Sequence, residues 1–229
     1  MILAIDSSIG STVAVVDPDT EEVLGQAQSE TSRGHAEVIG TLIQQSLDRA
    51  GLTPADITAV AAGMGPGPFT GLRIGIAAAR AFAIGRGIPV VPVASHDAAA
   101  LEILERDPHA EFVIVTDARR RENAVSAYAG LKRGLPNRIA GPELLPHTED
   151  PHSYLAEILT SARDSADSAQ KGSISSDLQN LGTTTSIPAA ALAKLAARQL
   201  AAGTTAELGP LYLRAPDAKI PGAVKRVST

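Results

Sequence analysis

The sequence predicts an α/β protein of two lobes, each built from a mixed β-sheet flanked by helices. Short apolar runs of strand length alternate with longer amphipathic patterns of helical period along most of the chain. Three strand-like runs precede the first helix, and a glycine-rich loop joins a buried strand to an alanine-rich helix. With 229 residues, the chain is long enough for one large or two small domains with an ample core.

The first lobe is predicted to open with three antiparallel strands, at residues 2–5, 12–16 and 23–27. A helix at 35–50 follows, because its apolar residues recur on one face and Gly51 can end it. The next predicted elements are a strand at 57–62, a helix at 70–86, a strand at 89–93 and a helix at 95–106. This order is that of a ribonuclease-H-like half, the unit that is duplicated in the actin, Hsp70 and sugar-kinase fold.

The second half of the chain is less clearly patterned. Strands are predicted at 111–116 and 124–128, and the stretch 161–186, rich in Ser, Thr, Asp and Gln, is predicted to be a loop. A helix at 188–203 is expected to complete the first lobe. The predicted division is a first lobe at 1–98, a smaller second lobe at 99–187 and a C-terminal tail at 204–229.

Composition excludes several classes of protein. The chain has no cysteine, so it has no disulfide framework, no thiolate zinc site and no cysteine nucleophile. The first strand meets Asp6 too early for a signal peptide, and no stretch approaches the roughly 18 apolar residues of a membrane span. We therefore expect a cytoplasmic protein without a membrane partner. The formal net charge of −5 argues against a protein that binds nucleic acid without a partner protein.

The glycine-rich loop at 63–75 has three interpretations. A loop that feeds a helix N-terminus presents free N–H groups and suits an anion, which makes Gly65 and Gly67 candidates for a phosphate cradle. Its spacing matches neither the dinucleotide-binding fingerprint nor the P-loop, and a plain strand-to-helix turn explains the same residues. The third interpretation is an interface, because Gly71, Gly75 and Ala79 form a stripe that another helix can approach closely.

Five motifs in this chain together form a specific pattern. They are Asp6-Ser7-Ser8, His35-Ala36-Glu37, Gly65-Pro66-Gly67-Pro68-Phe69-Thr70-Gly71-Leu72-Arg73-Ile74-Gly75, Asp117-Ala118-Arg119 and Pro210-Leu211-Tyr212-Leu213-Arg214. The pattern resembles the TsaB (YeaZ) family. The resemblance implies a two-lobed fold of the actin, Hsp70 and sugar-kinase type. It also implies a non-catalytic partner of TsaD, the enzyme that transfers a threonylcarbamoyl group to adenosine in tRNA.

The resemblance further implies how the chain assembles. The helices at 35–50 and 70–86 are expected to form a dimer surface, with TsaD or with a second copy when the chain is alone. We also expect the small ATPase TsaE as a partner, and contact with tRNA only through the complex. The expected interface residues are His35, Val38, Ile39, Leu42, Gly71, Arg73, Gly75 and Ala79.

Catalytic and metal-binding residues are not expected. The catalytic paralogue carries a His-x-x-x-His metal pair where this chain has Ser95 and Ala99. Two histidines at i and i+4 lie on one helix face and can share a metal, but His96 has Ala100 at i+4. A lone histidine at a helix start is more often a cap or a surface group than a ligand.

The nucleotide site expected in this superfold is degraded. Asp6 stands where related kinases carry the acid that holds Mg²⁺ and phosphate, but two serines follow it. Asp6 could bind Mg²⁺ through water or simply cap the end of the strand. The candidate nucleotide or phosphate residues are Asp6, Ser7, Ser8, Gly65, Gly67 and Asp117. No cofactor is required by this chain, although ATP or ADP with Mg²⁺ fits the complex.

Two alternatives to a scaffold subunit stay open at this point. One is a free-standing ATP-dependent phosphotransferase or ATPase of the same superfold, with Asp6 and Asp117 around Mg²⁺. The other is a structural homodimer without a role linked to tRNA. The cluster Arg119-Arg120-Arg121 has a similar ambiguity: a solvated turn is the usual interpretation, and a contact to tRNA phosphate is the alternative.

Overall fold

The computed structural model describes residues 1–29, 34–165, 181–204 and 209–214, and its strands form two β-sheets. The first sheet contains β1 (Ile2–Asp6), β2 (Ser11–Val16), β3 (Val23–Ser29), β4 (Ala59–Gly63) and β5 (Val90–Val93), in the order β3-β2-β1-β4-β5. β1 is antiparallel to β2 and parallel to β4. The predicted mixed sheet with three leading strands is therefore confirmed.

Helices cover both faces of the first sheet, which explains why β1, β2 and β4 are buried along their whole length. Successive strand residues point to opposite faces. Leu3 and Ile5 belong to the core shared with α1 (His35–Ala50) and α2 (Phe69–Arg86). Ile2 and Ala4 belong to the core shared with α3 (Ser95–Leu104) and α5 (Ala189–Ala201). A 3₁₀ turn at Pro54–Asp56 precedes β4.

The second sheet contains β6 (Glu111–Asp117), β7 (Glu122–Lys132), β8 (Leu135–Pro146) and β9 (Leu181–Thr183), in the order β8-β7-β6-β9. α4 (Pro151–Ser165) packs on this sheet through the buried side chains of Leu155 and Leu159. The strand β8 is absent from the sequence prediction because Pro136, Pro142 and Pro146 interrupt its pattern. β8 lies at the edge of the sheet, where proline is tolerated.

The predicted loop at 161–186 is wrong at both ends. α4 continues to Ser165, and β9 pairs in parallel with β6, so that Leu181 lies opposite Val113. The three residues of β9 have no strand pattern of their own, and the pairing with β6 decides their conformation. Residues 166–180 lie outside the described part of the chain.

The helix α3 connects the two lobes. The predicted lobe boundary between residues 98 and 99 falls inside it, and α3 contacts both α5 and β8. α5 lies on the first sheet, where the hydroxyl of Thr12 donates to the carbonyl oxygen of Ile187 just before the helix, at 2.8 Å. None of the described helices combines the length and the apolar composition that a membrane-spanning helix needs.

Candidate functional site

Asp6, at the end of β1, is the centre of a buried hydrogen-bond network. One carboxylate oxygen accepts the backbone N–H and the hydroxyl of Ser8, at 2.8 and 2.5 Å, and the other accepts the hydroxyl of Ser95, at 2.5 Å. Burial raises the pKa of Asp6, while the hydrogen bonds from Ser8 and Ser95 act in the opposite direction. At 1% exposure, Asp6 joins the first hairpin to α3, and it lines neither of the two cavities described below. The prediction that Asp6 contacts a nucleotide is therefore wrong.

The small-residue stripe of α2 faces the interior of the chain. Gly71, Gly75 and Ala79 are all buried, so the prediction that they face a partner is wrong. The hydroxyl of Ser7 donates to the carbonyl oxygen of Gly71 at 2.6 Å and accepts the N–H of Gly75 at 2.8 Å. A Cβ on Gly75 would lie 2.3 Å from that hydroxyl oxygen. The stripe does mark a close approach, but what approaches it is the first hairpin.

The predicted interface residues of α1 are also largely covered. Ile39 and Leu42 are buried in the core, and Val38 and His35 are half-buried. Of the eight predicted interface residues, Arg73 is the one that is exposed. An interface on these helices must therefore use their outer faces.

His96 is fully buried, contrary to the prediction of a capping or surface group. Its Nδ1 lies 2.8 Å from the hydroxyl of Ser126, and its Nε2 lies 2.9 Å from the hydroxyl of Thr116. Burial, together with the positive charge of Arg138, lowers the pKa of His96 to about 3. The ring is thus a neutral link from α3 to β6 and β7. The sequence gives no signal for it, because both hydroxyl partners come from strands 20 and 30 residues further along the chain.

Ser95 and Ala99, which occupy the positions of the paralogue's metal pair, help to pack α3 against the rest of the chain. The Ser95 hydroxyl is held by Asp6 and by the N–H of Gly65, and Ala99 lies in the hydrophobic core. Among the described residues, no group of three or more His, Asp or Glu side chains is arranged to hold a metal ion.

A cleft lies between the glycine loop and the turn that joins β6 to β7. It contains two cavities, of about 450 and 500 Å³, which share Pro68, Thr70, Asp117 and Arg119 as wall residues. Of the predicted phosphate residues, the cleft brings together four: Ser7, Ser8, Gly67 and Asp117.

Gly65 is not one of the residues that line these cavities. Its N–H donates to the Ser95 hydroxyl at 3.0 Å, and its carbonyl oxygen accepts the N–H of Ser95 at 2.8 Å. The prediction that Gly65 holds a phosphate is therefore wrong, and this glycine belongs to the tight turn.

Tyr212, Leu213 and Arg214, from the predicted tail, form a third wall of the cleft. The Tyr212 ring lies 4.9 Å from that of Phe69, and the Arg73 guanidinium lies 3.7 Å above the Phe69 ring and donates to the Tyr212 hydroxyl at 3.1 Å. Arg214 donates to the carbonyl oxygen of Ala118 at 3.1 Å. The segment thus ties the glycine loop to the second sheet, a contact that local sequence patterns do not predict.

Two helix-flanked sheets with a cleft between them place this protein in the actin, Hsp70 and sugar-kinase class of folds, as predicted. The family model described as "TsaD: tRNA N6-adenosine threonylcarbamoyltransferase" matches residues 21–221, and the chain belongs to this family.

Curated relatives match shorter parts of the chain. An uncharacterized protein of Mycobacterium tuberculosis is 42% identical over 122 residues, which are 53% of this chain and 56% of that protein. A tRNA N6-adenosine threonylcarbamoyltransferase of Streptococcus pneumoniae is 35% identical over 145 residues, or 51% of this chain and 43% of that protein. The chain spans about half the length of the curated relatives it matches.

Solved structures match almost the whole chain. YeaZ from Pseudomonas aeruginosa aligns with a TM-score of 0.68 and 21% identity, over 93% of this chain and 99% of YeaZ. A structure described as an uncharacterized protein with similarity to peptidase YEAZ from Pseudomonas aeruginosa aligns with a TM-score of 0.69 and 22% identity, over the same shares. At these identities the likeness shows a common fold. The predicted resemblance to the YeaZ family is confirmed.

Proposed function

We propose that this chain is a non-catalytic subunit of the cytoplasmic machinery that makes N6-threonylcarbamoyladenosine in tRNA, and that it acts by dimerising with the catalytic paralogue TsaD. TsaE is the further proposed partner, and a homodimer is the proposed state of the isolated chain. The family match over residues 21–221 supports the link to this reaction. Its relatives include an enzyme described as the transferase itself.

The observation that carries the non-catalytic role is the packing of α3. A metal pair needs two donors that face the same open space. Here the Ser95 hydroxyl is taken up by Asp6 and Gly65, and His96 is sealed between two hydroxyls. These groups maintain the fold. The buried Asp6 also disfavours the alternative of a free-standing ATPase, because its carboxylate has no access to a Mg²⁺–nucleotide complex.

The proposed docking surface is the outer face of α2. Ile84 is 81% exposed, whereas the other exposed large apolar side chains in the described chain reach at most 40%. Ala77 and Ala81 are exposed beside it, and Arg80, one turn from both Ala77 and Ile84, is exposed on the same face, so the chain offers a partner helix a small apolar patch bordered by a positive charge. This surface replaces the buried stripe as the proposed contact with TsaD.

Replacing Ile84 with arginine is expected to weaken the heterodimer with TsaD by at least about thirtyfold, since an apolar anchor at the centre of an interface is typically worth 2 kcal/mol or more. The thermal midpoint of the isolated chain should stay within about 1 °C of the wild type, because the side chain is exposed. Size exclusion with light scattering, on each chain alone and on the mixture, measures the association.

Leu200→Arg is the matched control, because Leu200 is a partly exposed apolar residue of α5. It should leave the one-to-one species intact. A heterodimer unaffected by Ile84→Arg would contradict the docking surface. No mixed species at all, even with ATP, Mg²⁺ and TsaE present, would contradict the proposed function.

A further inference from the structure

The turn between β6 and β7 has a backbone conformation that arginine rarely adopts. Arg119, Arg120 and Arg121, here called the arginine turn, have φ angles of 65°, 58° and 61°. For a residue other than glycine, the left-handed region costs roughly 1–2 kcal/mol. A run of three arginines is therefore an unfavourable choice for folding alone, since glycine would form the same turn at lower cost. Strain of this kind concentrates at functional sites.

The arginine turn is braced from several sides. Asp117 accepts the N–H of Arg119 at 2.8 Å, and the N–H of His147 donates to the carbonyl oxygen of Arg121 at 2.9 Å. Arg214 donates to the carbonyl oxygen of Arg119 at 3.2 Å. These contacts fix the backbone, while all three arginines of the turn remain exposed.

Two residues of the arginine turn and Arg214 line the smaller cavity of the cleft. Arg119, Arg120 and Arg214 line this space of about 450 Å³, a volume within the range of small-molecule sites, and the glycine loop forms its opposite wall. Two acids offset part of the charge: Asp117 lies 3.4 Å from Arg119, and Glu122 pairs with Arg214. In a chain with a net charge of −5, this concentration of arginines stands out.

We infer that Arg119 and Arg120 of the arginine turn, which Arg214 braces, bind the phosphate groups of a phosphate ester in this cleft. The guanidinium group presents a planar set of donors that matches phosphate, and a fixed backbone lowers the entropic cost of ordering such side chains. The phosphate comes from an RNA backbone or from a free nucleotide. The inference goes beyond the proposed function, in which this chain meets RNA only through its partner, and its failure would leave dimerisation with TsaD untouched.

Arg120→Gly separates a binding role from a structural one. Glycine adopts a positive φ without strain, so the thermal midpoint of the full-length chain should rise by about 1–4 °C. Binding of the phosphate ester should weaken by about tenfold with the loss of one guanidinium contact. If the turn were purely structural, Arg120→Gly would raise stability and leave binding of the phosphate ester unchanged.

Arg133→Gly is the matched control, because Arg133 also has a positive φ, of 55°, in the turn between β7 and β8, and it does not line the cleft. It should raise the thermal midpoint similarly and leave binding unchanged.

The probes are bulk tRNA, followed by fluorescence anisotropy at two salt concentrations, and ATP, followed by calorimetry without Mg²⁺. Salt-dependent binding of tRNA alone identifies the RNA backbone, and binding of ATP identifies a nucleotide. The inference is overturned if neither probe binds, if Arg120→Gly binds like the wild type, or if both variants lose binding equally.

Discussion

Replacing Gly75 with aspartate is expected to unfold the chain, and not merely to prevent its assembly. A Cβ at this position would lie 2.3 Å from the Oγ of Ser7 and 3.1 Å from its Cβ, and the added carboxylate would be buried without a cationic partner in the hairpin it meets. The substitution also breaks the two hydrogen bonds by which Ser7 holds α2. Overpacking costs about 1–3 kcal/mol and an unpaired buried charge about 3–5 kcal/mol, and together they are comparable to the whole stability of a typical domain, about 5–15 kcal/mol. The readout is the loss of a cooperative thermal transition by circular dichroism.

Gly85→Asp supplies the control on the same helix. A Cβ on Gly85 meets nothing within 4 Å, and this glycine is exposed. Its variant should keep a cooperative transition close to that of the wild type. If Gly75→Asp instead yielded a folded monomer that only failed to dimerise, the packing of α2 on the first hairpin would be contradicted and the stripe would be a docking surface.

His96→Gln is expected to flatten the acid dependence of stability. Since the pKa of His96 is lowered to about 3, the folded chain keeps this ring neutral while the unfolded chain protonates it below about pH 6.5. The contribution of the neutral ring is fully present above that pH and is lost as the pH falls from 6.5 toward 3. Between pH 7.5 and 5, the unfolding free energy of the wild type should therefore fall by on the order of 2 kcal/mol more than that of the variant. Urea unfolding at both pH values measures the difference.

The informative quantity is the change in unfolding free energy with pH. Its absolute value at neutral pH is less informative, because the substitution also changes stability there by disturbing Ser126 and Thr116. His109→Gln, at an exposed position, should keep the slope of the wild type. Equal slopes for His96→Gln and the wild type would mean that His96 is accessible to protons in the folded chain, against the burial described above.

Local patterns predicted most of the first lobe. The continuous apolar runs of β1 and β2 follow from burial between two layers of helices, and the apolar face of α1 follows from its packing on one side of the sheet. The glycine loop marks a strand-to-helix turn. Local patterns could not predict what the small-residue stripe of α2 faces. Spacing shows that Gly71, Gly75 and Ala79 share a face, but it does not show whether that face meets the chain's own hairpin or another molecule.

The second lobe and the cleft depended on contacts between distant residues. β9 is a strand only because it pairs with β6, and β8 tolerates its prolines because it lies at an edge. The role of Asp6 as a buried link rests on Ser95, 89 residues away, and the clamp of Tyr212 on Arg73 spans 139 residues. Motif resemblance did single out residues 210–214, although it gave no physical reason for them.

The central claim is that this chain supports the transferase reaction without performing it. The most direct measurement is the formation of threonylcarbamoyladenosine in tRNA from a threonylcarbamoyl donor, followed by mass spectrometry of the digested nucleosides. TsaD and TsaE would be tested with and without this chain, and this chain would be tested without TsaD. The account predicts product only when TsaD and this chain are both present. Product from this chain alone, or an equal rate from TsaD and TsaE without it, would contradict the account.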